Sequence, residues 1–394
     1  MFCGTARKIN LSPLLLDRGD RRIDRAQDER AAETHTIQPL SVHTLAQGVE
    51  VDLDVGQLGH CGSLAKGTDL FVLRQGKKNK SVPFVKIGVV RAVVFAYSEV
   101  GYRCLEVLLD AGVEVPLVLT HQDDPNEERW FRSVAELAAR HSIPALTPES
   151  VNDEAWVERV RDARPDCIFS FYYRKLLSRA LLDIPPTGAF NMHGSLLPAY
   201  RGRCPVNWVL IHGETRTGVT LHEMVERPDA GDIVGRCAIE IQPDDDALSL
   251  STTVATAAAA LMSELLPGLR EGRVERTPQR ESEASYFGGR TPEDGRIDWN
   301  GSAVEIRNLV RAVTRPWPGA FTELDGRRLF VWEAVVDPSP PTAPPGTIEA
   351  GQDLTVACGE GRLILTRWQF EGEKAQKSIK NGDLGPLRAG RLLG

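Results

Sequence analysis

The sequence predicts an α/β protein, a parallel sheet flanked by helices, followed by a small β-barrel. Two patterns and one bulk property predict it. From Val89 onward, apolar strand-like runs alternate with amphipathic helical runs, as in successive βαβ units. Beyond Glu293, one helical run is followed by short strand-like runs spaced by Gly- and Pro-rich turns, the pattern of a small barrel. A hydrophobic content of 42% with 26% charged residues is ordinary for a folded chain, and 394 residues accommodate two domains.

The elements follow in order. "VVRAVVFAY" is short, continuous and rich in β-branched residues, hence a buried strand. "GYRCLEVLLDAG" reads as a helix ended by Gly112, and "VEVPLVLT" as the next strand. "FRSVAELAARHS" is helical, with Val134, Leu137 and Ala138 on one face. "DCIFSFYY" is a strand, "KLLSRALLD" a helix and "GAFNMH" a strand. "TGVTLHEMVE" and "DIVGRCAIEI" are two more strands around the turn-rich "RPDAG". "LSLSTTVATAAAALMSELLPGLREG" is a long helix opening after Asp246. Polar residues 277–293 read as a linker, "SAVEIRNLVRAVTR" as a helix stopped by Pro316, and "FTEL", "RLFVWEAVV", "GTIEA", "LTVACG" and "RLILTRW" as barrel strands. The expected divisions are an extension over 1–89, a catalytic domain over 90–276, the linker over 277–293 and a C-terminal domain over 294–394. No internal repeat is present.

Residues 1–89 differ in texture. They hold 13 basic against 10 acidic residues, whereas residues 90–394 hold 34 against 44. "DRGDRRIDRAQDERAAE" suits a solvated helix or disorder, "VEVDLDV" hints at a strand, and "RQGKKNKSV" reads as a basic loop. No catalytic motif falls here, and a poorly structured extension is expected. The net charge of -7 argues against a nucleic-acid partner. Seven cysteines without C-x-x-C spacing suggest a reducing compartment, hence the cytoplasm. No run of 18 apolar residues predicts membrane insertion, and Leu14–Leu16 is too short for a signal-peptide core.

The chemistry concentrates in "AFNMHGSLLPAYRGRCPVNW". Side chains two apart on a strand point the same way, so Asn191 and His193 can converge on one atom. Histidine suits proton transfer near neutral pH, and an asparagine amide can donate to a developing oxyanion. A carboxylate beside the imidazole would favour its protonated form, and Asp229 in the "PDAG" turn is a candidate. An acyl-transfer or hydrolytic site would result, although a lone N-x-H at a strand end is more often structural. Other readings lack their residues. No G-x-G-x-x-G follows the first strand, so no NAD is expected, and there is no P-loop. Without G-x-S-x-G, Ser195 is not expected as a nucleophile. His212 and His222 lack metal spacing with His193, so no metal is expected. Arg201 and Arg203 could bind an anion bidentately or be solvated surface charge.

The stretch "FNMHGSLLPAYRGRCPVNWVLIHGETRTGVTLHEMVERPDAGDIV" resembles the catalytic segment of 10-formyltetrahydrofolate-dependent formyltransferases. It is most similar to the branch formed by the formyltransferase half of the bifunctional polymyxin-resistance protein. The resemblance covers residues 90 to about 390 and includes "VVFAYSEVG", "SFYYRKLL", "PWPGAF" and the helix after Asn300. It implies a Rossmann-like domain followed by an OB-like barrel. It implies 10-formyltetrahydrofolate as co-substrate, UDP-4-amino-4-deoxy-L-arabinose as acceptor and a role in lipid A modification. Residue by residue, it implies that His193 relays a proton, Asn191 stabilises the oxyanion and Asp229 raises the pKa of His193. It assigns folate binding to Lys175, Leu176, Leu177, Arg203 and the loop Val225, Glu226, Arg227, Pro228 and Asp229. Tyr172, Tyr173, Arg201 and Asn207 are candidates for lining the sugar or uridine site.

Two departures matter. The NAD-dependent decarboxylase half of that protein has no counterpart here, so a separate decarboxylase chain is expected in the pathway. Val90 falls where the relatives begin, so residues 1–89 are expected to be an upstream misreading, with a GUG start at Val90. The alternatives are another amino-sugar nucleotide, methionyl-tRNA formyltransferase, a folate-releasing hydrolase and a folate-binding module without turnover. "RPDAGDIV" and "NWVLIHGE" favour the sugar branch over the RNA enzyme.

Overall fold

The computed structural model describes residues 90–125, 128–351, 353–377 and 387–394. The extension expected over 1–89, and the start expected at Val90, lie outside these residues or at their edge.

In chain order the elements are β1 (Arg91–Ala96), α1 (Ser98–Asp110), β2 (Glu114–Leu119), α2 (Val134–Arg140), β3 (Ala145–Leu146), α3 (Glu154–Asp162), β4 (Cys167–Phe171), α4 (Arg179–Leu182), β5 (Gly188–His193), β6 (Arg201–Gly202) and α5 (Pro205–Ile211). There follow β7 (Arg216–Glu223), β8 (Ile233–Glu240), α6 (Ala247–Arg270), β9 (Tyr286–Phe287), α7 (Ala303–Val313), β10 (Ala320–Leu324), β11 (Arg327–Asp337), β12 (Ile348–Glu349), β13 (Thr355–Ala357), β14 (Arg362–Phe370) and β15 (Gln376–Lys377). The large sheet has the order β3-β2-β1-β4-β5-β7-β8. Its first five strands run parallel, and β7 and β8 join antiparallel. The α/β class predicted from the alternating runs is therefore the observed one.

The central strands β1 and β4 are apolar throughout because both faces of the sheet are covered. On one face α1, α2, α5 and α6 supply Leu105, Leu137, Val209 and Met262 to a core that takes in Phe190 and Met192 of β5. On the other face α3 and α4 supply Val157, Val160 and Leu181 to a core that takes in Ala189. Alternation along β5 thus turns Asn191 and His193 toward the α3/α4 face, at the carboxyl end of a central strand. That end is where ligands bind in open α/β sheets.

A second, antiparallel sheet has the order β10-β11-β14-β13-β12, with β15 on β14, and forms the curled half-barrel expected of the C-terminal domain. Helix α7 opens with a Ser302–Glu305 capping box and packs against both β11 and α5. By length and composition α6 could cross a bilayer, yet its apolar side is buried against β7, β8 and α1.

One local expectation needs correction, and two helices have no counterpart in the sequence reading. Helix α3 was not anticipated: "EAWVERVRD" buries only Val157 and Val160, too thin an apolar stripe to stand out among its charges. Helix α5, "PVNWVLI", was not anticipated either; its Pro205 occupies the first helical turn. The helix expected over "KLLSRALLD" shrinks to Arg179–Leu182, because Asn152 takes the backbone of Leu176 and Ser178 into loop bonds.

Asn207 is not a ligand-lining residue. It is buried, and its Nδ2 donates to the Ala312 carbonyl at 2.6 Å, satisfying one of the free carbonyls at the end of α7. Asn207→Ala strands that buried acceptor, at a cost of about 1–3 kcal/mol. Thermal melts of the variant should show a lowered midpoint; an unchanged midpoint would remove this bond from the account.

Candidate active site

Asn191 and His193 share a face by strand parity, and the neighbouring strand adds a third group. In the antiparallel β5–β7 pair, His222 lies directly opposite Asn191 and therefore projects from the same face. Asn191 Nδ2 lies 3.1 Å from His222 Nε2, and His222 Nδ1 lies 2.8 Å from the Glu223 carbonyl oxygen. A carbonyl can only accept, so the proton of His222 is on Nδ1. Nε2 then accepts from the Asn191 amide and fixes which way that amide faces.

Asp229 arrives from the loop between β7 and β8. Its Oδ1 lies 3.6 Å from His193 Nδ1, 3.4 Å from His222 Nε2 and 3.5 Å from Asn191 Nδ2. Its Oδ2 accepts the Gly202 N–H at 2.8 Å. Burial opposes the charge of this carboxylate, but the His193 imidazole, then His222 and last the Gly202 amide outweigh it and hold the carboxyl well below the usual range. His193 Nε2 donates to the Tyr200 carbonyl at 2.7 Å, which fixes the ring with Nδ1 facing Asp229.

The Gly-Ser-Leu-Leu-Pro turn sets that carbonyl in place. Ser195 Oγ donates to Ala199 O at 2.6 Å, and Thr220 Oγ1 donates to Ser195 O at 2.7 Å. Ser195 is fully buried in these bonds, which is a structural task rather than that of a nucleophile. In the Arg-Gly-Arg motif the glycine is the member that touches Asp229. Gly202 has φ +99°, and a Cβ there would stand 2.2 Å from the Phe287 carbonyl. Arg201 is completely buried, donating to Gln279, Glu281 and Tyr286, and is neither a solvated charge nor a ligand-lining group. Residues 277–293, read as a linker from the sequence, hold the site from behind. Gln279 Nε2 donates to the main-chain carbonyls of Asp229 at 2.8 Å and Gly231 at 2.7 Å. Tyr172, Tyr200, Cys204 and Asp229 all adopt positive φ around this centre, a concentration of backbone strain expected of a functional site.

The remaining predicted residues surround the trio unevenly. Lys175 sends its Nζ to the Pro148 carbonyl at 2.9 Å and to that of Glu149, away from His193. Leu177 packs on the α3/α4 core, whereas Leu176 is 68% exposed and Val225 45% exposed. Glu226, Arg227 and Pro228 form an exposed lip, with Arg227 paired to Glu281 at 3.0 Å. Arg203 is exposed beside Gly202. Tyr172 places its hydroxyl where a side chain on Gly194 would otherwise stand. Tyr173 stacks on His121 with ring centroids 4.3 Å apart. A cavity of about 240 Å³ lined by Asp166, Thr187 and Arg270 lies at the opposite, amino ends of β1, β4 and β5 and contains none of these groups.

Comparison with known proteins is consistent with this geometry. Residues 93–266 match the family described as formyl transferase, and residues 290–382 match the formyl transferase C-terminal domain. The fold is similar to that of an N-formyltransferase from Helicobacter canadensis, solved with folinic acid and dTDP-3-aminofucose (17% identity, TM-score 0.56, 74% of this chain and 100% of that chain). It is similar to WlaRD, a sugar 3N-formyl transferase solved with dTDP and 5-N-formyl-THF (17% identity, TM-score 0.54, 73% of this chain and 100% of that chain). It is also similar to HypX from Aquifex aeolicus in complex with tetrahydrofolic acid (18% identity, TM-score 0.52, 74% of this chain and 46% of that chain). At these identities the likeness concerns the fold.

The lowered carboxyl of Asp229 has a pH signature. Its stabilising contribution is complete above the unfolded value of about 3.9 and is lost as pH falls through the lower folded value. The difference in melting temperature between the native chain and Asp229→Asn should therefore be constant near neutrality and change in the native chain's disfavour below about pH 4. A difference independent of pH down to pH 2 would contradict the buried charge.

Proposed function

Because the chain belongs to the formyl transferase family, we propose that it moves a formyl group from 10-formyltetrahydrofolate to the amine of a nucleotide-linked amino sugar. The acceptor in this reading is the 4-amino group of UDP-4-amino-4-deoxy-L-arabinose, in lipid A modification. The observation that carries the reading is the convergence of Asn191, His193 and Asp229 within 3.6 Å at the end of a central strand. The acidic balance of residues 90–394, 34 basic against 44 acidic, supports a small acceptor over an RNA.

The co-substrate supplies a formyl carbon on a nitrogen leaving group. The fit of such a ligand is supported by Leu176 and Val225, large apolar side chains left exposed on the two loops beside the trio. Backbone groups of residues 225–229 suit the amide-like edge of a pterin. His193 keeps its Nε2–H on the Tyr200 carbonyl and takes the proton of the attacking amine at Nδ1. The cation so formed faces Asp229, whose charge offsets it, and the same proton is then returned to the departing nitrogen. Asn191 Nδ2 has two hydrogens. One is held by His222; the other, which makes only a long 3.5 Å contact to Asp229 Oδ1, turns to the oxygen that becomes negative as the carbonyl is attacked. His222 acts through Asn191 and is a positioning residue.

Mass detection of the N-formyl sugar, with the full chain, 10-formyltetrahydrofolate and the UDP-amino sugar, tests this. His193→Ala should lower the rate by about 10²–10⁴. His222→Leu should lower kcat by about a hundredfold with little change in KM for either substrate, because it misaligns the amide without touching a ligand. Transfer at the native rate by His193→Ala would overturn the mechanism. Transfer to methionyl-tRNA but not to the sugar would overturn the acceptor.

A further inference from the structure

His193 is held by a main-chain group, and that group is itself clasped from a distant part of the chain. His193 Nε2 donates to the Tyr200 carbonyl, and Tyr200 has φ +60°, a left-handed backbone that a bulky residue adopts only under constraint. The carbonyl belongs to the peptide unit that joins Tyr200 to Arg201. In a trans peptide the N–H and the C=O lie in one plane and point opposite ways. The Arg201 N–H donates to the Ser285 carbonyl at 2.9 Å, so the Tyr200 carbonyl is aimed away from Ser285 and toward the imidazole. Ser285 grips the preceding unit as well, because its Oγ accepts the Tyr200 N–H at 2.9 Å.

The side chain of Tyr200 completes the clasp. Its ring stacks on Phe287, with centroids 5.0 Å apart and planes 20° apart. Phe287 is braced in turn by Trp208 of α5 at 5.2 Å and by His212 at 5.0 Å. The Tyr200 hydroxyl donates to Glu214 Oε1 at 2.8 Å; its single hydrogen is then used, so it accepts from His212 Nδ1 at 3.1 Å. Burial, then the bond to Glu214, push the phenol up, so it stays protonated and a donor at neutral pH. The hydroxyl thus has its partners within the protein, which leaves Tyr200 a task of placement. That task bears on rate. A peptide plane free to tilt would let the imidazole turn Nδ1 away from Asp229, and a misplacement of about 1 Å costs on the order of a hundredfold.

We infer that Tyr200 and Ser285 are positioning residues for His193: together they orient one peptide plane, whose carbonyl turns the imidazole toward Asp229. The inference rests on the reading of His193 as the proton relay. It gives residues 285–287, which read as linker in the sequence, control over the rate of transfer.

Steady-state formyl transfer by the full chain tests it, together with nuclear magnetic resonance of histidines labelled at Cε1. The His193 signal is the one lost in His193→Ala. Tyr200→Leu removes both the stack and the hydroxyl, and should lower kcat at least about tenfold with KM for both substrates within about twofold. Ser285→Ala removes only the Oγ acceptor and Tyr200→Phe only the hydroxyl bonds; each should lower kcat about three- to tenfold with KM again held. The His193 signal should move in all three variants. Should circular dichroism show that Tyr200→Leu does not fold, the two milder variants carry the test. Native kcat in the folded variants, or an unmoved His193 signal, overturns the inference. So does a loss that appears as a raised KM, which would make Tyr200 a substrate contact. A His193 signal that moves in these variants, in a chain that transfers no formyl group, would keep the clasp and refute the proposed function instead.

Discussion

A buried carboxylate is the constraint on which the rest of the site depends. Asp229 is charged where burial opposes charge, so the chain surrounds it with polar partners. Three segments distant in sequence do this. The strand pair β5–β7 brings His193, Asn191 and His222; the turn into α5 brings the Gly202 amide; and residues 277–287 clasp the loop through Gln279. Gly202 can approach only because it lacks a Cβ, and the fully buried Arg201 anchors the β6–β9 pairing on which that approach rests. Positive φ at Tyr200, Cys204 and Asp229 costs about 1–3 kcal/mol each, tolerated because the surrounding bonds determine these conformations.

The two faces of the sheet divide the work. The chain turns Asn191 and His193 toward α3 and α4, while the opposite face is packed by apolar core. Strand parity makes the division: Phe190 and Met192 look one way, Asn191 and His193 the other. One residue of slippage in β5 would turn the amide and the imidazole into the aliphatic and aromatic core and Phe190 and Met192 toward the α3/α4 face, so core packing and site geometry enforce the same register.

Part of this was legible in the sequence. The central strands announce themselves by continuous apolar runs, and the N-x-H spacing places Asn191 and His193 on one face. Asp229 came from resemblance, since nothing local links it to them. His222 was passed over because its place depends on the β5–β7 register, a non-local pairing; only its parity with Thr220, opposite to the buried Val219 and Leu221, hints at which face it takes. The Tyr200 carbonyl and the Gly202 amide were invisible for a simpler reason: main-chain groups have no letter. Arg201 misled because an arginine flanking a glycine looks exposed, whereas here four hydrogen bonds satisfy it internally.

If Asp229 acts only through His193, the two residues form one device. A double-mutant cycle on the rate of formyl transfer, with His193→Ala, Asp229→Asn and the pair combined, measures this directly. The account predicts that the double variant is no slower than His193→Ala alone. Losses that multiply would show that Asp229 and His193 contribute separately, and would contradict the relay.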